Sequence, residues 1–218
     1  EEAKNAGEAL GIAAYQTLDN HDGELLPSLA VRHQVIRAIR EWDADIVLGL
    51  RPNDYHPDHR NAGKVVVDAS YMVIVPNVCP DTPPLSKNPL FLYMQDRFEK
   101  PYPHQADVVV AIDETIELKI DGLHAHTSQM YEWLPWTNGG DASVAKIPTS
   151  PKERRAWLAE RTKNRSGSIS PEKLAALVKW YGKDAAKKVK YVESFEVAEY
   201  GMQPSDEELR AFFPMLKK

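Results

Sequence analysis

Cysteine and long apolar runs are what this sequence has least of. Cys79 is the single cysteine among 218 residues, which excludes an intrachain disulfide framework and any zinc site built from several cysteines. One cysteine fits a reducing compartment, so we expect a cytoplasmic location. No run of about 18 apolar residues occurs, which predicts that no helix spans a membrane. No signal peptide is recognised either.

An excess of basic charge over the whole chain is also lacking. The formal net charge is −5, although residues 151–190 hold 12 lysine or arginine residues against 4 acidic ones. That block has a helical pattern and is interpreted as a solvated face, because a nucleic-acid surface needs a net basic domain with interleaved aromatic residues. We therefore expect a globular domain over residues 1–218, with a basic helical insertion or appendage over residues 137–190, and no nucleic-acid partner.

Residues 51–60 are the stretch richest in chemically active side chains, with two histidines, two aspartates and two prolines directly after an apolar run. His56 precedes a proline and should be extended, whereas Pro57 suits the first position of a helix. His59 then lies in the first helical turn, where the helix dipole favours a neutral ring that can bind a metal. Asp58 is the right residue type to accept a ring N–H. The stretch predicts a metal or catalytic site; the alternative is a helix cap with solvated histidines.

Strand and helix patterns alternate over the first two thirds of the chain, which favours a layered α/β fold with a mostly parallel sheet. The run 46–50 is apolar without alternation, as in strands buried on both faces. In open parallel sheets ligands bind beyond the carboxyl ends of strands, and residues 51–59 would lie there. Strands are expected at residues 12–18, 46–50, 91–94, 108–112 and 191–200, and helices at residues 1–10, 28–42, 57–75, 113–131, 151–161, 171–181 and 183–190.

The predicted helix 113–131 holds a second group of polar side chains. His126 and Gln129 are three residues apart and share one helical face, so both could line a cleft; the alternative is that His126 is merely exposed or satisfied locally. Trp133 and Trp136 offer aromatic faces on which sugars stack, or they belong to the core. The loops 76–89 and 135–151 are expected to shape any pocket.

Two motifs resemble the LmbE/PIG-L family of zinc-dependent deacetylases. Residues 47–59, Val-Leu-Gly-Leu-Arg-Pro-Asn-Asp-Tyr-His-Pro-Asp-His, resemble the second metal motif of that family. Residues 125–129, Ala-His-Thr-Ser-Gln, are similar to its late A-H-x-S-Q pattern. The resemblance extends roughly over residues 1–201. It implies a Rossmann-like three-layer sandwich with a helical C-terminal portion, and removal of acetyl groups from N-acetylglucosamine-type substrates.

The resemblance also implies roles for individual residues. His59 would be a zinc ligand, and His56 would stabilise the oxyanion or protonate the leaving amine. Asp58 would orient His56. Contacts with the substrate would come from Arg51, Tyr55 and His126.

One part of the family pattern is missing. The first motif, A-H-P-D-D, supplies one histidine and one aspartate as zinc ligands and a second aspartate as general base, and no His-Pro-Asp-Asp occurs in this sequence. The zinc ligand set is therefore incomplete. Residues 1–11 resemble the family helix that follows the second strand, so we expect the missing motif to lie upstream of Glu1; the alternative is a truncated relative.

Three functions remain open at this point. The first is zinc-dependent hydrolysis of an acetamide on a small amino-sugar conjugate. The second is a non-catalytic sugar-binding or interaction module that has lost its metal, and the third is a zinc hydrolase for another amide. No membrane partner is expected, and family members often form trimers or hexamers, so a homo-oligomer is compatible with the resemblance.

Overall fold

The computed structural model describes residues 1–216, which form ten α-helices, one π-helix and four β-strands. The strands are β1 (Ile46–Gly49), β2 (Leu90–Met94), β3 (Val108–Ala111) and β4 (Val192–Gly201). The helices are α1 (Glu2–Leu10), α2 (Leu29–Glu41), α3 (Pro57–Met72), α4 (Ile116–Ala125), α5 (Leu134–Thr137), α6 (Gly140–Val144), α7 (Pro151–Ser166), α8 (Pro171–Tyr181), α9 (Lys183–Ala186) and α10 (Asp206–Phe212). The π-helix is Gln129–Trp133.

The four strands form one mixed sheet in the order β1-β2-β4-β3. β1 and β2 are parallel, whereas β4 runs antiparallel to β2. The predicted α/β class is confirmed, but the prediction of a mostly parallel sheet is wrong. The burial of β4 alternates along its first seven residues, the pattern expected of an antiparallel strand with one covered face. The buried positions include Ser194 and Glu196, so the alternation of burial is not an alternation of apolar residues in the sequence.

Helices α2 and α3 pack against one face of the sheet. Their apolar residues recur at three- and four-residue spacing, so each helix presents one buried stripe. The buried residues of these stripes form a hydrophobic cluster with residues of the sheet. Burial of this cluster holds β1 and α3 in place, and with them the loop that joins the two elements. Its buried members from these elements are Ile36, Ile39, Ala69, Val73, Phe91, Tyr93 and Ala198.

Arg40 of α2 binds the backbone at the end of α3 and in the segment that follows it. Its side chain is 5% exposed and donates six hydrogen bonds of 2.7–3.1 Å to backbone carbonyls. Two of the carbonyls belong to the C-terminal end of α3, where the helix dipole favours a cation. The guanidinium therefore organises the irregular segment that follows α3. The accepting residues are Met72, Val73, Val75, Val78, Cys79 and Thr82.

Several predicted elements differ from the structure. Residues 12–18 form no strand, and Ile12 and Tyr15 are about half exposed. The predicted helix 113–131 is interrupted: α4 ends at Ala125, and His126 leaves helical geometry at φ −84°, ψ 67°. The expected loop after residue 137 contains the short helix α6. A capping box formed by Ser205 and Glu208 begins α10.

By its internal contacts the chain divides into two compact units. The first unit comprises Glu1–Leu18, Ala111–Ser170 and Lys188–Val192, and the second comprises Asp19–Val110, Pro171–Lys187 and Glu193–Lys218. Residues 137–190 contain α6 to α9, and their description as an appendage stays a prediction. No helix within residues 1–216 is both long enough and apolar enough to cross a membrane.

Candidate functional site

The loop between β1 and α3, residues 50–56, lies in the second unit and carries the predicted site. His56 is the N-cap of α3 with an extended backbone (φ −89°, ψ 132°), and Pro57 is the first helical residue, as predicted. α3 can lie this close to the loop because residue 63 is glycine. A Cβ atom there would stand 2.6 Å from the carbonyl oxygen of Leu50, closer than packing allows. The sequence thus fixes the approach of the helix to the loop.

His56 and His59 lie side by side, with ring centroids 4.8 Å apart. His56 Nδ1 accepts a hydrogen bond of 3.2 Å from the backbone N–H of Asp58, so the proton of its neutral ring is assigned to Nε2. His59 Nδ1 lies 3.0 Å from Asp54 Oδ1. A carboxylate only accepts, so Nδ1 carries the proton and Nε2 keeps its lone pair. One imidazole therefore presents a donor, and the other presents an acceptor.

Asp54 is a site residue that the sequence analysis missed. Its Oδ1 atom accepts from His59 Nδ1 and also from the backbone N–H of His56, at 2.9 Å. Its side chain is 12% exposed. A carboxylate behind a histidine fixes the tautomer of that ring and increases its basicity as a ligand. The available signal was an aspartate two residues before one histidine and five before the next.

Asp58 binds the segment that precedes α2. Its two carboxylate oxygens accept from the backbone N–H groups of Gly23, at 2.6 Å, and Leu25, at 3.2 Å. The carboxylate of Asp58 is thus engaged with this segment, and its backbone N–H is the group that bonds to His56; the role of Asp58 in orienting His56 stays a prediction. This contact brings the turn at residues 19–25 to the histidine loop.

The turn adds a further carboxylate, Asp22, which the sequence analysis did not single out. Donor atoms of Asp22, His56 and Asp58 lie within 4.8 Å of one another, and they are the one such group found in residues 1–216. Imidazole nitrogen and carboxylate oxygen are ligand types that zinc accepts. Tetrahedral ligands about 2.1 Å from zinc are about 3.4 Å apart, so the 96% exposed Asp22 side chain would have to swing inward.

The chemistry of the donors therefore fits a metal, but the two histidines fit it differently. His59 offers a free Nε2 lone pair with Asp54 behind it. His56 carries its proton on Nε2, 3.9 Å from Asp22 Oδ1, and its Nδ1 is already an acceptor. This arrangement suits His59 as ligand and His56 as hydrogen-bond donor.

Tyr55 and Arg51, which are both predicted to bind substrate, differ in their exposure to solvent. Tyr55 is 69% exposed, and its ring stands edge-on to both imidazoles at 5.6–5.8 Å. Arg51 is 4% exposed and forms a bidentate pair with Asp96 at 2.8 and 3.0 Å, with further bonds to the carbonyls of Phe98 and Tyr102. In the structure Arg51 positions the segment after β2, and its role in substrate binding stays a prediction.

A buried polar group lies next to Arg51. His104 Nδ1 is 3.6 Å from Glu196 Oε2, and its Nε2 atom lies 3.2 Å from Ser194 Oγ. Burial, together with the positive charge of Arg51, lowers the pKa of His104 to about 4. Burial also raises the pKa of Glu196. The sequence analysis did not single out His104, Ser194 or Glu196, because their contacts join segments about 90 residues apart.

His126 belongs to the first unit, whereas the other predicted site residues belong to the second. It is half buried at the end of α4, and the residues after it bind Glu2. The Glu2 carboxylate accepts from Thr127 Oγ1, Ser128 N and Ser128 Oγ at 2.6–2.9 Å. These bonds, led by that of Thr127, lower the pKa of Glu2 to about 2. The A-H-T-S-Q segment therefore anchors the beginning of α1, and Glu2 is a further residue that sequence reasoning missed.

Comparison with known proteins shows similarity of this chain to deacetylases. Residues 1–70 match the family model for GlcNAc-PI de-N-acetylases, PIG-L. Diacetylchitobiose deacetylase from Thermococcus kodakarensis is 30% identical over 141 residues, which are 62% of this chain and 52% of that protein. The chain thus spans about half the length of this curated relative.

Solved structures share the fold. N,N'-diacetylchitobiose deacetylase from Pyrococcus horikoshii is similar with a TM-score of 0.61 and 20% identity, over 95% of this chain and 66% of that one. A conserved protein from Thermus thermophilus has a TM-score of 0.57 and 19% identity, over 93% of this chain and 74% of that one. GalB, the 4-carboxy-2-hydroxymuconate hydratase from Pseudomonas putida, has a TM-score of 0.65 and 14% identity, over 94% of this chain and 72% of that one. At these identities the structures show the fold alone. The family match and the curated relative show more: the chain is a homologue of diacetylchitobiose deacetylase with a PIG-L (LmbE) domain match, as its two motifs predicted.

Proposed function

We propose that the protein is a hydrolase that removes an acetyl group from an N-acetylglucosamine-type substrate with the help of a bound zinc ion. The PIG-L match and the homology to diacetylchitobiose deacetylase support the substrate class. The observation that carries the reaction type is the pair of complementary imidazoles, His56 with a donor at Nε2 and His59 with a lone pair at Nε2. Metal-assisted amide hydrolysis needs one group of each kind.

His59 would hold the metal through Nε2, with Asp54 fixing the ring. Asp22 and Asp58, whose carboxylates cluster with the neighbouring His56, could add oxygen ligands. When bound, zinc polarises the amide carbonyl and lowers the pKa of its water towards about 7. Because the first motif does not occur in this sequence, the identity of the remaining ligands is the first point to establish by experiment.

His56 would act on the substrate directly. Its Nε2–H group donates to the carbonyl oxygen, on which negative charge develops as the carbon becomes tetrahedral. A preorganised donor at that position stabilises the transition state more than the ground state, and removing it costs about a hundredfold to a thousandfold in kcat. The exposed ring of Tyr55 flanks both imidazoles and would form one wall for the sugar.

The test compares two alanine variants of the complete protein. His59→Ala should lose zinc, whereas His56→Ala should keep zinc and release acetate from diacetylchitobiose at least about a hundredfold more slowly. His33→Ala, in α2, is the matched control and should change neither. Zinc content is measured by atomic absorption, and acetate by an enzymatic assay.

The outcomes separate the alternatives. Stoichiometric zinc in His59→Ala overturns its assignment as ligand, and loss of zinc from His56→Ala points to the cluster of Asp22, His56 and Asp58 instead. A native protein without zinc, whose sugar binding ignores chelators, supports the non-catalytic sugar-binding module.

A further inference from the structure

The first unit holds a pair of exposed, stacked indoles that the proposed reaction does not use. The π-helix continues directly into α5, and this junction places Trp133 and Trp136 with centroids 5.5 Å apart and ring planes 17° from parallel. The two residues are 54% and 49% exposed. Large apolar side chains are normally buried, so an exposed aromatic pair is informative.

These two rings border an open cavity of about 300 Å³. That volume is at the small end of ligand pockets, which occupy about 300–1,000 Å³, and suits a single sugar ring. The lining residues are Ser128, Glu132, Trp133, Trp136 and Val144.

The polar atoms of the cavity are largely unengaged. Within residues 1–216, the Glu132 carboxylate forms no hydrogen bond or ion pair with the protein, and neither indole N–H has an acceptor. The Ser128 hydroxyl donates to Glu2, so it can only accept from a ligand. The residues that line the cavity therefore include two with an indole N–H, a hydroxyl acceptor and a carboxylate beside an aromatic surface.

This combination selects a particular chemistry. The C–H face of a pyranose is apolar and packs on an indole, while its hydroxyls bond to the groups at the edge. An ammonium group is attracted both by a carboxylate and by the negative face of an indole. An amino sugar with a free amine satisfies all of these groups at once, whereas its N-acetyl form lacks the charge.

We propose that Trp133, Trp136 and Glu132 form a subsite for a glucosamine-type ring, that is, for a deacetylated sugar unit. The choice of an amino sugar rests on the proposed function, since deacetylation of an N-acetylglucosamine unit produces such an amine. The subsite would hold a deacetylated unit of the substrate or product chain. Its binding needs neither metal nor turnover.

The test follows the indole N–H signals by NMR in zinc-free protein titrated with glucosamine. The signals of Trp133 and Trp136, assigned by substitution with phenylalanine, should shift and saturate, while that of the exposed but unpaired Trp42 should not. Trp136→Ala should weaken binding about three- to tenfold, and Trp136→Phe should weaken it less because a flat ring remains. Glu132→Gln should weaken glucosamine binding about threefold and leave N-acetylglucosamine unaffected.

Several results would overturn the subsite. Absence of saturable shifts does so, as does an unchanged affinity in the double variant of Trp133 and Trp136 to alanine. If that variant instead changes the oligomeric state in light scattering, the indoles are covered by a second copy of the chain. Failure of the proposed function is distinct: acetate release would be absent while the indole shifts and their dependence on these residues remain.

Discussion

At the residue scale, the site depends on which ring nitrogen of each histidine carries the proton. Pro57 disfavours helical geometry for His56 and begins α3, so the backbone conformation at this point could be predicted from the sequence around Pro57. The tautomers do not follow from the sequence, because they depend on Asp54 and on the backbone N–H of Asp58. The sequence therefore predicts the two histidines but not the division of roles between them.

Asp54→Asn tests that division. The amide keeps the shape of the side chain but removes the charge that fixes the Nδ1 proton of His59, so we expect zinc affinity to fall about 10- to 100-fold. Competition with a chromogenic chelator measures the change. Asp45→Asn removes an exposed carboxylate of the same unit, paired with Lys87, and should leave the affinity unchanged. Equal affinities in both variants would exclude a role for Asp54 in orienting the ligand.

At the scale of elements, α2 has two roles: its apolar stripe packs against the sheet, and its Arg40 side chain binds backbone carbonyls. Its apolar stripe was predictable from spacing, but the role of Arg40 was not, because all six acceptors lie 32–42 residues further along the chain. The same dependence on residues far apart in sequence explains why the strand directions in the sheet were not predicted. Strand segments could be recognised locally, whereas the direction of β4 beside β2 is a property of pairing across about 100 residues.

Arg40→Leu should destabilise the fold by about 3 kcal/mol or more, since several buried carbonyls lose their donor. Arg40→Lys should rescue little of this loss, because a point charge cannot replace the planar fork of donors. The matched control is Arg37→Ala on the same helix, whose exposed pair with Asp81 should contribute little to stability. Urea unfolding measures all three, and a loss for Arg40→Leu as small as the control contradicts the assignment.

At the scale of the whole molecule, the fold alone does not select the reaction. A deacetylase and a hydratase both share it with this chain, so function has to be argued from the site. The α/β class followed from alternating patterns, while the contacts that join distant segments, such as Asp22 beside His56 and Glu2 beside Ser128, had no local signature.

His104 makes global stability depend on pH. Its pKa is lowered to about 4 in the folded protein, below the usual value of about 6.5. Between these values the unfolded chain binds a proton that the folded chain does not, so stability decreases as pH falls from about 6.5 to 4. Glu196, with a raised pKa, titrates in the opposite sense.

The contribution of His104 is therefore measured by comparing the pH dependence of stability in the native protein and in His104→Gln. Urea midpoints measured from pH 7 to pH 4 should decline more steeply for the native protein than for His104→Gln, which keeps a polar group but cannot be protonated. Parallel curves would show that His104 does not contribute to the acid sensitivity. His33→Gln, in α2, provides the matched control and should reproduce the native slope.

The bonds between Glu2 and Ser128 also bear on the order in which the first unit assembles. They join residues 126 positions apart, so closing that loop is entropically costly and comes late in folding. Gly122 reinforces the contact, since a Cβ there would lie 2.9 Å from Leu10, which means that α1 and α4 meet at close range. Hydrogen exchange at the Ser128 amide should consequently report the docking of α1 rather than the local helix.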